Sequence, residues 1–311
     1  MNIFIAGATG VLGRRLVRQL SAHGHDVVAL VRSRENERVV SELGGQPRYA
    51  DMFDADNLVH AMKGCDVVIH AATAIPTKQR TTDEDWKLND RIRREGTEAL
   101  ARSAGQVGAK TFIFQSIVWL ANPADGSKFD EQSHPCPVSL MQSALDGEGI
   151  AQEMGALHGF SAVVLRCGWF YAADATHTRM FAAGLARRRL PIVGRGDNYL
   201  HCLHADDAAS AFVAATERGQ SGLWHVVDDE PVRLCYFRNR LAEKLSAPPP
   251  RRVPIWLARL LAGQGAVDFM TQSTRTSNAR LRQDFDWQPR YPTYREGIDE
   301  IVAQWGGRAP A

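Results

Sequence analysis

Cysteine is scarce in this 311-residue sequence, and its few copies are far apart. The five cysteines, at positions 65, 136, 167, 202 and 235, include no Cys-x-x-Cys pair. Disulfide frameworks and zinc sites both need closer spacing than this. The sequence therefore predicts no metal site and a reduced, cytoplasmic protein.

Long hydrophobic runs are also missing. A membrane-spanning helix needs about 20 apolar residues, and no stretch of the sequence approaches that length. The first apolar run ends after about five residues at Gly7, which is too short for a secretory leader. We therefore expect neither a membrane segment nor export.

Neither sign of charge dominates. Lys and Arg together number 37, and Asp and Glu number 35. The one basic run, Arg187-Arg188-Arg189, is typical of a solvated helix end. The sequence thus predicts a small-molecule substrate as the partner, with no nucleic acid and no membrane.

A glycine turn lies at the start of the chain. A short apolar run, Asn2 to Ala6, is followed by Gly7, Gly10 and Gly13 and then by apolar residues at helical spacing. Such a strand–turn–helix points unpaired N–H groups and the positive end of the helix dipole at a phosphate. The glycines allow the turn, the approach of a pyrophosphate and the packing of helix on strand. The turn predicts a dinucleotide site.

Strand and helix patterns alternate along the first half of the chain. Each unit is about 25–30 residues long, the length of a right-handed crossover between parallel strands. The strands are continuous apolar runs, as expected when helices cover both faces of a sheet. We predict an α/β fold, a Rossmann-like doubly wound parallel sheet with a smaller, mostly helical C-terminal substrate domain. The predicted dinucleotide-binding domain comprises 1–167 and 202–228, and the substrate domain comprises 169–201 and 229–311.

The end of the second predicted strand indicates which nicotinamide cofactor is preferred. The position about 20 residues past the glycine turn contacts the adenosine ribose. It is occupied by Arg32, with Arg34 nearby, and not by an acidic residue. Because a guanidinium group suits a 2′-phosphate, we predict NADPH, with NAD as the alternative if Arg32 is only a solvent-facing loop residue.

These motifs, in their order over about 290 residues, resemble those of the extended short-chain dehydrogenases/reductases, the NAD-dependent epimerase/dehydratase family. The motifs that carry the resemblance are Gly-Ala-Thr-Gly-Val-Leu-Gly (7–13), Asp51-Met52, His70-Ala71-Ala72, Asn89 with Gly96-Thr97, Leu165-Arg166 leading to Phe170-Tyr171, His204 to Ala208, Trp224 to Pro231, and Asp286 to Pro289. Family members often pair through two helices, here 83–107 and 138–157, so the resemblance implies a homodimer.

The resemblance also implies which residues hold the cofactor. They are Gly7, Thr9, Gly10, Val11, Leu12, Gly13, Arg32, Arg34, Asp51, Met52, Ala71, Ala72, Thr73, Gln115, Ser116, Cys167, Gly168 and Trp169.

This sequence differs from that family at the catalytic residues. Members use a serine or threonine, a tyrosine that acts as acid and base, and a lysine four residues later on the same helix face. Here those tyrosine and lysine positions are Leu140 and Ala144, and the usual serine position is Ile117, beside Ser116. No tyrosine lies between 50 and 170 and no lysine between 129 and 243, so no other alignment of this helix supplies the pair.

Three classes of function remain. The first, which we favour, is an NAD(P)H-dependent oxidoreductase that reduces a carbonyl or enone of a small apolar or aromatic substrate without the usual triad. A sugar-nucleotide or polyketide epimerase, dehydratase or isomerase is the second, although losing the tyrosine base argues against it. A non-catalytic NADPH-binding sensor is the third, because fold alone does not establish activity.

Replacement proton donors and a substrate cleft can be nominated from the same residues. The catalytic candidates are Ser116, Tyr171 and His204, with Ser143 and His201 as further donors. Ligands of open α/β sheets bind at the carboxyl ends of the strands. An apolar cleft there is predicted to be lined by Trp119, Met141, Trp169, Phe170 and Tyr171.

Overall fold

A seven-stranded parallel sheet forms the centre of the protein, in the order β11-β6-β5-β4-β1-β2-β3. The structure is a computed structural model that describes residues 1–78 and 81–310, without the side chains of residues 262, 266 and 269. The strands are β1 Asn2–Ala6, β2 Asp26–Val31, β3 Gln46–Tyr49, β4 Val67–His70, β5 Thr111–Ile117, β6 Ser161–Cys167, β7 Trp169–Tyr171, β8 Ile192–Val193, β9 Tyr199–Leu200, β10 Cys202–His204, β11 Gly222–Val226, β12 Val232–Arg233 and β13 Arg252–Val253.

Helices cover both faces of this sheet. In chain order, the α-helices of the described residues, including those of the C-terminal part, are α1 Val11–Ala22, α2 Arg34–Glu42, α3 Ala55–Ala61, α4 Asp83–Arg91, α5 Thr97–Gln106, α6 Gln142–His158, α7 Thr176–Ala186, α8 Ala205–Arg218, α9 Leu234–Lys244, α10 Ile255–Ala262, α11 Gln264–Thr271, α12 Ala279–Phe285 and α13 Tyr294–Gln304. The predicted Rossmann-like doubly wound fold is confirmed.

Continuous apolar strands explain the two-sided core. In β1, Ile3 and Ile5 pack with α1 and α8 on one face, whereas Phe4 packs with α3 and α5 on the other. All three side chains are fully buried. Because successive strand residues point to opposite faces, an unbroken apolar run is what two helical layers require.

The long helix predicted over 83–107 is interrupted by one wider turn. The π-helical turn Ile92–Gly96 joins α4 to α5. Such turns are rare and frequently lie at functional sites. This one brings Arg93 into the interior, where the residue is 5% exposed.

The C-terminal part forms a second core. The strand pairs β7–β10, β9–β12 and β8–β13 form three short ribbons, and α7, α9 and α13 enclose a cluster that includes Tyr171, Phe237 and Ile298. Helices α11 and α12 lay outside the predicted elements. Leu281 and Phe285 of α12 pack on the main sheet, so we propose that α12 belongs with the dinucleotide-binding domain. The other predicted boundaries stay a prediction, and position 311 lies outside the described residues.

Across the described residues, no helix combines the length and apolarity needed to cross a bilayer. The same part of the chain contains no group of three or more His, Cys, Asp or Glu side chains arranged to hold a metal ion.

Candidate active site

The glycine turn between β1 and α1 leaves no room for side chains. Gly7 has φ +93°, and a Cβ atom added to it would lie 2.5 Å from the backbone nitrogen of Ala72. A Cβ on Gly13 would lie 2.0 Å from the carbonyl oxygen of Gly7. Gly10 is the N-cap of α1 and provides no side-chain hydrogen bond. The first-turn N–H groups of α1 therefore remain available to an anion, which fits the pyrophosphate of a dinucleotide.

The other predicted cofactor residues lie at the same edge of the sheet. Ala71, Ala72 and Thr73 follow β4, Gln115 and Ser116 end β5, and Cys167, Gly168 and Trp169 lie at the end of β6. Arg32 and Arg34 follow β2 with exposed side chains, and Asp51 is exposed after β3, whereas Met52 is buried against Gly96. Their role as cofactor contacts stays a prediction.

An apolar wall surrounds Ala144, the residue predicted to align with the family's lysine. Ala144 is fully buried and packs with Leu120 and Met141. The partly buried side chains of Ile117 and Trp119 complete this cluster. Trp119 and Met141, both predicted to line a substrate cleft, are thus brought together on the wall.

Of the remaining predicted cleft residues, Trp169 and Tyr171 lie in the second core. Trp169 stacks on Phe181 at 5.4 Å between ring centres and meets Phe237 edge to face at 5.3 Å. The expectation that Tyr171 faces an opening is wrong: it is 0% exposed, and its hydroxyl has no hydrogen-bond partner among the described residues. Burial raises the pKa of this phenol well above its usual value. Phe170 is partly buried beside the sheet core.

The ring nitrogens of both histidine candidates contact other protein groups. His204 is 1% exposed; its Nδ1 accepts a bond from the backbone N–H of Asp206, and its Nε2 lies 3.1 Å from Glu300. His201 is also 1% exposed, and its Nδ1 accepts the N–H of Thr276. Burial lowers the pKa of His201 to about 4. These contacts leave neither imidazole facing a substrate.

The two serine candidates are likewise enclosed. Ser143 is 1% exposed and donates to Asp90 at 2.6 Å. Ser116 is 0% exposed and donates to Glu148 at 2.5 Å. Every nominated donor is therefore at most 1% exposed, and this burial argues against a direct catalytic role for Ser116, Tyr171 or His204.

A buried ion pair between α6 and β6 was not found from the sequence. The guanidinium of Arg166 donates to both carboxylate oxygens of Glu148, at 2.8 and 2.7 Å. The side chains are 3% and 4% exposed. Glu148 lies one helical turn after Ala144, so a charged residue on that buried helix face was the available signal.

Arg93 adds a further positive charge beside Glu148. Burial lowers the pKa of Arg93 to about 10, and the nearby carboxylates of Asp90 and Glu148 oppose that shift. Its Nε has no hydrogen-bond partner. The π-helical turn thus places a second guanidinium group behind the apolar wall.

Comparison with known proteins gives a consistent family. The profile of the NAD dependent epimerase/dehydratase family matches residues 3–226. The 3-diazoavenalumate denitrifying reductase of a Streptomyces species is 32% identical, with 96% of this chain and 99% of that protein covered. The 4-hydroxy-2-methyl-3-oxo-4-farnesyl-3,4-dihydroquinoline-1-oxide ketoreductase of Stigmatella aurantiaca is 30% identical, with 97% and 96% covered.

A solved structure shows the same fold. The dTDP-glucose 4,6-dehydratase of Streptomyces venezuelae, determined with NAD bound, has a TM-score of 0.79 over 98% of this chain and 97% of its own, at 19% identity. These matches, with the glycine turn already described, place the chain in the NAD-dependent epimerase/dehydratase family, with nicotinamide-dependent oxidoreduction as its chemistry.

Proposed function

We propose that the chain is an NADPH-dependent reductase that adds hydride to a small apolar or aromatic electrophile without a side-chain acid. The observation that carries this proposal is the apolar wall around Ala144, together with the predicted alignment that puts Leu140 and Ala144 at the family's tyrosine and lysine positions. The burial of every nominated alternative donor supports it.

The bound nicotinamide would supply the hydride, and the chain's own residues orient the reactants and exclude water. The amides of Val11, Leu12 and Gly13 would bind the pyrophosphate. Ile117, Trp119 and Met141 would form the apolar side of the cleft. General acid catalysis contributes about 10²–10⁴-fold, so the preferred substrates are those that need it least.

Two electrophile classes meet this condition. Hydride addition to an enone or a quinoid ketone leaves a delocalised anion, which takes its proton from water. An arenediazonium cation that accepts a hydride becomes the arene and releases N₂, so no proton is consumed. The name of the 3-diazoavenalumate denitrifying reductase favours this second class, and the name of the ketoreductase favours the first.

A substrate panel tests the proposal. We expect purified protein to oxidise NADPH, followed by nicotinamide absorbance, with an enone, a quinone or an arenediazonium salt. With the enone or the arenediazonium salt, NADPH deuterated at the transferred position should label the product carbon. Conversion of a sugar nucleotide with no net cofactor oxidation would support the epimerase alternative instead. Cofactor binding without oxidation by any compound would support the sensor.

Arg32 is expected to set the cofactor preference. It is exposed at the end of β2 and forms no ion pair with any residue in the described part of the chain. Arg32→Ala should weaken NADPH binding by about 10–100-fold, the range for a hydrogen bond to a charged group, and leave NADH binding unchanged. Fluorescence titration measures both, and Arg38→Ala on the exposed side of α2 is the matched control. Tighter binding of NADH than NADPH by the unaltered protein would remove this role.

We also propose a homodimer through the long helix and α6. Leu88 of α4 and Leu157 of α6 are 49% and 71% exposed, which gives these helices apolar contact surface. Light scattering after gel filtration would contradict the dimer if it gave the monomer mass.

The five cysteines are all free, which supports a reducing, cytoplasmic location.

A further inference from the structure

An arginine of the C-terminal part lies where the two halves of the protein meet. Arg275 belongs to an extended segment between α11 and α12. Its carbonyl oxygen accepts the N–H of Phe129 at 3.0 Å. The N–H of Thr274, the residue before it, donates to the backbone carbonyl oxygen of Tyr199 at 2.9 Å. Phe129 packs in a cluster with Val118, which the partly buried Trp119 joins. Arg275 is thereby held next to the residues that lead into the apolar wall.

Two guanidinium groups flank a single phenol at this point. The guanidinium carbon of Arg275 lies 4.6 Å from the centre of the Tyr199 ring, and that of Arg233 lies 5.7 Å from it. The Nε of Arg233 is also 3.5 Å from the Tyr199 hydroxyl. This contact, together with the charges of Arg233 and Arg275, lowers the pKa of Tyr199.

The charges of this cluster do not balance. Asp197 pairs with Arg195 at 2.7 Å and lies 3.7 Å from Arg233. Arg275 has no ion pair with any residue that the structure describes, and its buried Nε has no hydrogen-bond partner. Asp197 is thus shared by Arg195 and Arg233, and Arg275 is left without an acidic partner among the described residues.

We propose that Arg275, supported by Arg233 and Tyr199, binds the carboxylate of an aromatic acid, which makes the substrate of the proposed reductase an aromatic acid. A guanidinium group presents paired donors that match a carboxylate. Trp119 is partly buried against the cluster of Phe129, which contacts the backbone of Arg275, and its exposed part offers an aromatic surface to the ring of such an acid. The inference rests on the proposed function for its place in catalysis, but its binding step can be measured without turnover.

The experiment compares one acid with its neutral ester. Cinnamate and methyl cinnamate are titrated by calorimetry into protein saturated with NADP⁺, as the unaltered chain and as the variants Arg275→Met and Arg275→Lys. We expect Arg275→Met to weaken cinnamate binding by about 10–100-fold and to leave methyl cinnamate unchanged. Arg275→Lys, which retains the charge, should lose less. Arg251→Met, which changes an exposed arginine outside this cluster, is the control.

The possible results separate the two proposals. Equal affinity for acid and ester in the unaltered protein, or equal losses of both in Arg275→Met, would overturn the carboxylate site. Arg275-dependent binding of a nucleoside diphosphate tighter than that of cinnamate would also overturn it, in favour of a sugar nucleotide. Arg275-dependent cinnamate binding in a protein that oxidises NADPH with no compound of the panel would sustain the site and refute the reductase. With an accepted aromatic acid, Arg275→Met should raise KM and leave kcat within about threefold, because the contact is equal in ground and transition state.

Discussion

Gly13→Ala should abolish tight binding of the dinucleotide. The added Cβ would lie 2.0 Å from the carbonyl oxygen of Gly7 and 2.6 Å from the Cα of Ala8. Both obstacles are backbone atoms, so the turn itself must open to admit the methyl group. The amides of the first turn of α1 would then no longer converge on the pyrophosphate. We expect NADPH affinity to fall by more than about 100-fold, with a loss of about 1–3 kcal/mol in the free energy of unfolding from overpacking.

A second glycine in a helix provides the control for that variant. Gly149 lies in α6, and a Cβ added there would meet no atom within 4 Å. Gly149→Ala should leave cofactor affinity unchanged and stabilise the protein by about 0.5–1 kcal/mol, because alanine loses less backbone entropy in a helix. Fluorescence titration with NADPH and urea unfolding measure the two effects. Binding by Gly13→Ala within threefold of the unaltered protein would refute the assigned role of this turn.

The fold could be predicted because its signals are local. Consecutive residues around Gly7 specify a strand, a turn and a helix. The apolar runs of the central strands indicate a sheet covered on both faces. The C-terminal part was harder. Helix α12 is seven residues long, and it is stabilised by packing on Trp224 and the main sheet. A helix that depends on distant contacts leaves little trace in its own sequence.

The candidate site, like the fold, could be predicted from the sequence only in part. The absence of tyrosine from positions 50–170 and of lysine from positions 129–243 is a property of the sequence and could be read directly. The exposure of a side chain is not, which is why Tyr171 was placed at an opening although it is enclosed, with Gly297 packed against its ring. Arg275 and Tyr199 are 76 positions apart, so their contact follows only from the folded chain.

The packing around α6 explains both why position 144 has no lysine and where the buried charges of this helix lie. A lysine at position 144 would project into the cluster of Leu120 and Met141, where Ala144 is now fully buried. The charges of this helix face lie one turn further, where Glu148 is paired with Arg166. Burying a charge is tolerated only when it is paired and hydrogen-bonded. The wall can therefore remain apolar because Glu148 behind it is paired with Arg166 and accepts from Ser116, although Nη1 of Arg166 and Nε of Arg93 have no partner among the described residues.

Breaking that ion pair is expected to have the largest effect on stability. Glu148→Ala would leave the guanidinium of Arg166, whose side chain is 3% exposed, without its carboxylate. Removing one partner of a buried pair typically costs about 3–5 kcal/mol, because the other charge remains buried and uncompensated. Ser116 would lose its acceptor at the same time. Urea unfolding should therefore show a decrease of about 3–5 kcal/mol in the free energy of unfolding and a lower urea concentration at the unfolding midpoint.

Two further variants separate the buried charge from the shape of the site. Replacing both partners, as Glu148→Leu with Arg166→Met, should recover most of the lost stability, since apolar residues of similar volume often substitute for a buried pair without net cost. Glu98→Ala removes the carboxylate of the exposed Arg102–Glu98 pair, whose side chains are 50% and 47% exposed, and should cost less than about 1 kcal/mol. If Glu148→Ala destabilised the protein no more than Glu98→Ala, the pair would not be the electrostatic support of the wall, and the double variant would then be the more damaging change.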